Sequence, residues 1–244
     1  MGGVLALGLS RMPGGWVRWA LLLAPLGLAA TFVAPGLSGV HRWVAAGPIS
    51  FKMAELLLAT FVVAAASGRA SFVVRLICTL AVLLLLIAQP DASQAVAVAG
   101  GAIAAILKSG APSLRRALAC VGIAVVAALA LSRPDPLAPV PRVEGVLQLA
   151  AAYSHLLAAA AVVALGVSAS APLVLRSSAG AASAAAVGLS AYFALAALAP
   201  LLGAFPVPLM GLGVSPILGA WLGFGSLMSL AAAEGKGRPA TSIS

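Results

Sequence analysis

Leu80-Ala81-Val82-Leu83-Leu84-Leu85-Leu86-Ile87-Ala88-Gln89-Pro90-Asp91 decides the fold of this chain. Nine apolar residues run straight into a polar triplet. Asp91 is one of only five acidic residues among 244, and it stands where an apolar segment would surface from lipid. Hydrophobic residues make up 63% of the chain and charged residues 8%. An average soluble domain carries roughly 25% charged residues. So much apolar surface cannot be hidden from water at this length, and the chain reads as an integral membrane protein.

A span needs about 20 mostly apolar residues. Outward from the opening stretch, apolar runs lie near 19–38, 53–67, 71–89, 93–107, 117–131, 146–170, 180–202 and 209–233. The expected fold is an all-α polytopic membrane protein of about eight transmembrane helices. Residues 1–233 form one membrane domain, and 234–244 a disordered cytoplasmic tail. No internal repeat is visible.

The formal net charge is +9. In a soluble protein this would suggest nucleic acid. In a polytopic membrane protein it implies contact with anionic membrane lipid instead, and no nucleic-acid partner is expected. With the N-terminus inside, the inner segments hold Arg11, Arg18, Arg69, Arg75, Lys108, Arg115, Arg116, Arg176, Lys236 and Arg238. The outer segments hold Arg42, Lys52, Arg133 and Arg142. This asymmetry predicts that both termini are cytoplasmic.

Ionisable groups at the edge of a membrane are costly, and each is a candidate site residue. Lys52 and Glu55 share a helix face at i,i+3 and can form an ion pair. Asp91, followed by Ser93 and Gln94, is a good helix N-cap. Arg42 is either an interfacial anchor beside Trp43 or a bidentate phosphate ligand. Tyr153 and His155 read as packed polar groups, and His41 as a lone histidine. Cys78 and Cys120 lack metal-ligand spacing and read as packing residues. The glycines at 211, 213, 219, 223 and 225 permit close helix approach. The outer loop SRPDPLAPVPRVEG, residues 132–145, is the one substantial connection with both signs of charge, and its prolines exclude a regular helix. No Walker A, HExxH, CxxC or GxSxG motif occurs.

Three stretches in order resemble the SEDS family of peptidoglycan polymerases, the FtsW/RodA/SpoVE group. RWVAAGPISFKMAE, from Arg42 to Glu55, is similar to that family's RW followed by G-x-x-x-F-Q-P-S-E. Gln89-Pro90-Asp91 matches its QPD. GAFPVPLMGLGVSP, from Gly203, is similar to its G-x-L-P-V-x-G-x-P-L-P. The eight runs correspond to the family's third to tenth spans, its first two having no counterpart. The family's QPS reads Lys52-Met53-Ala54 here, and its H-x-D-F-I-F-A loop motif does not occur.

The resemblance implies a multi-pass protein of the bacterial inner membrane, acting in peptidoglycan synthesis, cell division or cell shape. It implies a glycosyltransferase taking lipid II or another undecaprenyl-linked substrate, with a single-span transpeptidase as partner. By matching position, Arg42, Glu55, Gln89 and Asp91 would bind substrate. Only Asp135 and Glu144 offer a carboxylate in the outer loop for the catalytic base. No cofactor is expected, a divalent cation being the one candidate, and no metal site is assigned. Two alternatives stand beside the polymerase. One is a non-catalytic scaffold binding lipid II or division and elongation partners. The other is a flippase or transporter with Glu55 and Asp91 lining a polar path.

Overall fold

The structure, a computed structural model, describes residues 2–12, 14–176, 180–201, 203, 205–210 and 213–236. It is a mostly helical bundle. α1 (Gly2–Ser10) precedes α2 (Ala20–Ala30), which single 3-10 turns extend at both ends. A hairpin of β1 (Trp43–Ala46) and β2 (Ile49–Lys52) follows. Then come α3 (Met53–Ala66), α4 (Phe72–Ala88), α5 (Ala92–Lys108) and α6 (Leu114–Leu131). α7 (Val146–Tyr153), α8 (His155–Ser170), α9 (Ala181–Leu198) and α10 (Val214–Lys236) complete it.

Eight spans were expected, and the structure corrects this. Among the described residues, five segments are long and apolar enough to cross a membrane: Gly14–Val33, Leu114–Leu131, His155–Leu175, Ala181–Leu201 and Val214–Gly235. The apolar runs at 53–67, 71–89 and 93–107 become helices of 14, 17 and 17 residues. At 1.5 Å per residue these reach only about 21–26 Å, against roughly 30 Å of hydrocarbon. Ser71 caps α4 by accepting from the Val74 amide at 3.3 Å, and Ser113 caps α6 by accepting from the Arg116 amide. Asp91 caps α5. These caps mark where the helices begin, and α3, α4 and α5 are about as long as the apolar runs themselves, none of which reaches the roughly 20 residues of a span. The run 146–170 is broken at Ser154, whose backbone is extended (φ −164°, ψ 129°).

The fold is also not purely helical. Gly47-Pro48 turns the chain between β1 and β2, with Gly47 at φ +62°, the left-handed conformation that a tight hairpin turn requires. Trp43 faces Lys52 and Val44 faces Phe51, and the Met53 amide donates to the Arg42 carbonyl at 3.1 Å.

Glycine lets the helices touch. A methyl on Gly219 of α10 would collide with the Glu55 carbonyl of α3, and one on Gly223 would lie 2.8 Å from the Ala59 side chain. Gly101 of α5 and Gly188 of α9 meet in the same way. The core is built around these contacts, with Phe61, Leu58, Leu83, Leu189 and Leu227 fully buried. α1 lies alongside α10, with Ala6 and Leu9 against Gly225. Gly211, Arg238 and the tail 237–244 lie outside the described residues. Residues 234–236 continue α10.

Candidate functional site

The chain returns several times to one end of the bundle. This gathers the hairpin, Gln89–Asp91, the loop 132–145 and the segment before α10 at one end. Side-chain and backbone hydrogen bonds tie them together. The Lys52 amide donates to the Ser215 hydroxyl at 2.9 Å, and the Val207 amide to the Val143 carbonyl at 3.1 Å. Between them opens a cavity of about 930 Å³. Arg42, Lys52, Glu55, Asp135 and Glu144 line it, with Pro90, Ser50 and the prolines of the loop.

Arg42 is the hub. Its side chain is only 7% exposed. Its Nε donates to the Gln89 carbonyl at 2.9 Å, and one terminal nitrogen donates to the Pro90 carbonyl and to Asp135 Oδ2, the latter at 2.7 Å. Asp91 lies behind it at 3.9 Å. Lys52 Nζ bridges Asp91 Oδ2 at 3.1 Å and Glu55 Oε1 at 2.9 Å. Two cations and three carboxylates therefore form one connected ladder: Asp135, Arg42, Asp91, Lys52, Glu55.

Lys52 and Asp91 stay charged at the middle of the ladder. Burial opposes ionisation of Lys52, but the carboxylates of Asp91 and Glu55 outweigh it and hold the ammonium above its ordinary pKa. Burial likewise opposes ionisation of Asp91. Lys52, Arg42 and the Ser93 hydroxyl outweigh it and hold the carboxyl below its usual range.

The candidate residues divide on inspection. Arg42 and Glu55 line the cavity, as do both loop carboxylates. Gln89 does not. It is fully buried, and its side-chain amide donates to the Leu28 carbonyl and to the Thr31 hydroxyl. That is a brace between α4 and the end of α2. Asp91 is 3% exposed and stands behind the two cations, capping α5 at the same time. The capping and ion-pairing readings of Asp91 coexist. Asp135 Oδ1 accepts from the Leu137 amide, which fixes the carboxyl in the bend of its loop. Glu144 turns back on the loop to accept from the Val140 amide at 2.6 Å.

Sequence reasoning missed two partners, Ser215 and Thr31. Thr31 donates to backbone carbonyls and accepts from Gln89. Neither hydroxyl carries a local signal, since each acts on a residue far along the chain. Tyr153 and His155, expected to be packed, are exposed. Both sit at the break between α7 and α8, which turns them out of the bundle. His41 stacks on Phe32, and its Nδ1 lies 3.1 Å from the Ala34 carbonyl.

Among the described residues no group of three or more His, Cys, Asp or Glu is placed to hold a metal ion. The cavity carboxylates contact Arg42, Lys52 or loop amides. Below Glu55 lies a space of about 20 Å³ beside Gln94 and Tyr192, room for about one water. The Tyr192 hydroxyl donates to Gln94 across it, and the Gly101–Gly188 contact follows.

No family model matches the chain, and no curated protein is detectably similar in sequence. Solved structures are similar in fold. The crystal structure of the rod shape determining protein RodA of Thermus thermophilus is 20% identical, with a TM-score of 0.58. The likeness covers 98% of this chain and 85% of that one. A mutant form of the same protein gives 21% identity and a TM-score of 0.57, covering 98% and 86%. The chain thus has a RodA-like fold and is a multi-pass membrane protein by its helices.

Proposed function

We propose that this chain is a SEDS-like protein of cell-wall synthesis in a bacterial inner membrane, whose cavity binds a diphosphate-linked lipid sugar such as lipid II. One observation carries the reading. Asp135 is a carboxylate on a loop, held at 2.7 Å by a buried arginine, inside a cavity of about 930 Å³.

The chemistry follows from that pairing. A guanidinium that holds a carboxylate can hold a phosphate in its place, because a pair of oxygens on either anion can accept from its planar fork of N–H groups. An entering diphosphate takes over Arg42 and releases Asp135. The freed carboxylate accepts the proton of the acceptor sugar's 4-hydroxyl as that oxygen attacks the anomeric carbon of the donor. The bond from the anomeric carbon to the diphosphate oxygen breaks, and the lipid diphosphate leaves with its charge met by Arg42 and Lys52. Glu144 holds the loop in shape. Asp91 backs both Arg42 and Lys52, and Glu55 holds Lys52 in position. The short cavity below Glu55 favours this reading over a flippase, which needs a continuous polar route. A single-span transpeptidase remains the partner that the resemblance suggests.

Purified protein incubated with labelled lipid II tests it. Wild type is expected to yield glycan. Asp135→Asn is expected to bind lipid II but give no product, and Glu144→Ala to keep activity. Arg42→Ala is expected to weaken binding. Binding without product in the wild type would make the chain a scaffold. Product from Asp135→Asn would remove that residue as the base. Neither binding nor product would end the cell-wall reading.

A further inference from the structure

The opposite end of the bundle carries a second polar constellation that the cavity chemistry does not use. α4 and α6 start side by side there, capped by Ser71 and Ser113. Their first turns present Arg75, Arg115 and Arg116. The Arg115 guanidinium lies 4.4 Å from the centre of the Phe72 ring, and that of Arg75 lies 5.8 Å from it. Arg115 and Arg116 are near enough to Arg75 to repel its charge.

Among the described residues, none of the three has a carboxylate partner. Arg75 donates to the Ala65 carbonyl, and Arg116 to the Ala111 carbonyl, both at 2.8 Å. Arg75 Nε is buried with no acceptor in the protein. The acid at this end, Glu234, is engaged elsewhere, accepting from the amides of Ala181 and Ala182 at the start of α9. Two helix N-termini add partial positive charge to the same spot. Three guanidiniums without a counter-ion repel one another and leave donors unmet, unless an anion joins them.

The surroundings say which anion. The cluster adjoins a small cavity lined by Phe72, Leu76, Thr79 and Ile123. Along the same two helices Val74, Ile77, Leu118 and Val121 are exposed and apolar. A charged spot above apolar helix faces suits a ligand with a phosphate head and hydrocarbon tails. We propose that α4 and α6 hold the headgroup of an anionic phospholipid, its phosphate received by Arg75, Arg115 and Arg116 and its chains lying along Ile77 and Leu118. This site is independent of the reading of the cavity.

Native mass spectrometry of the protein in detergent, titrated with cardiolipin or with phosphatidylcholine, tests the assignment. Retention of cardiolipin over phosphatidylcholine is expected in the wild type. The double variant Arg115→Ala/Arg116→Ala is expected to bind cardiolipin roughly 30-fold more weakly, as two lost surface cations imply. Arg11→Ala/Arg18→Ala, basic positions outside the cluster, is expected to leave retention unchanged. Inorganic phosphate at millimolar concentration is expected not to displace the lipid. Lipid-free melting of both variants is compared with wild type, and the affinity is read on protein that melts as the wild type does. Should the double variant destabilise the protein, Arg115→Gln/Arg116→Gln replaces it in the same titration. Unchanged cardiolipin affinity, equal loss in the control variant, or displacement by phosphate alone would each overturn the proposal.

Discussion

Replacing Lys52 by methionine removes the cation at the centre of the ladder and keeps most of its volume. Lys52 Nζ lies 3.1 Å from Asp91 Oδ2. At that separation the attraction is about 5 kcal/mol for an effective dielectric of about 20. Desolvation of both groups offsets much of it, so the pair's net worth is far smaller than its Coulomb energy. Breaking it is another matter. Asp91 would stay buried, with Arg42 at 3.9 Å as its remaining cation. Removing one partner of a buried pair typically costs about 3–5 kcal/mol. The retained arginine places Lys52→Met near the lower end, about 3 kcal/mol. Asp91→Asn alone keeps the helix cap but strands Lys52, which still has Glu55, and should cost about 2 kcal/mol. The double variant removes both charges and should cost about 2–3 kcal/mol rather than the sum of about 5. Unfolding each protein by detergent titration gives the four free energies of the cycle. Additivity within about 0.5 kcal/mol would refute the idea that Asp91 and Lys52 act as one unit.

Other outcomes follow from the same geometry. The ladder's contribution should be flat across neutral pH. Asp91 sits below its ordinary 3.8 and Lys52 above its ordinary 10.5. The Asp91 contribution is therefore present above 3.8 and lost as pH falls through its lowered pKa. The Lys52 contribution is present below 10.5 and lost as pH rises through its raised one. Melting temperature against pH checks this, and Asp91→Asn should flatten the acid limb. Gly219→Val should destabilise by about 1–3 kcal/mol, because its side chain would collide with the Glu55 carbonyl. Unfolding measurements check it, with Gly3→Val, where nothing lies nearby, as the neutral control. Asp135→Asn should destabilise by no more than about 1 kcal/mol, since Arg42 keeps two backbone carbonyls and Asp91. A larger loss in thermal melting would mean that the loop is a structural clamp.

Composition showed a membrane chain, because 63% apolar residues admit little else. Local spacing was also legible. The Lys52–Glu55 pair follows from i,i+3 geometry and is present at 2.9 Å. The Asp91 cap follows from Asp-x-x at a helix start. The number of spans was not legible, because hydropathy measures how far a helix could continue and not where it is stopped. Ser154 breaks the run 146–170 by its extended backbone, at a position whose side chain hardly changes an average. The hairpin had a signal that went unused, a Gly-Pro pair flanked by Val44 and Ile49. The contact between Arg42 and Asp135 spans 93 residues and has no local pattern at all. Gln89 is a ligand candidate only through the resemblance of Gln89-Pro90-Asp91 to the family's QPD, and the direction of its side chain is set by Thr31 on another helix.

The hairpin bears on how such a chain can vary over generations. Arg42 and Lys52 both reach Asp91, one from before β1 and the other from the end of β2. Their relative placement is a matter of strand register, in which one residue more or less turns a side chain to the opposite face. A single-codon insertion at Gly47-Pro48 would slide Lys52 away from Trp43 and separate the two cations from their shared carboxylate. A change in the length of this ribbon would therefore part both cations from Asp91, whereas a substitution at one of its outward positions would leave them in place.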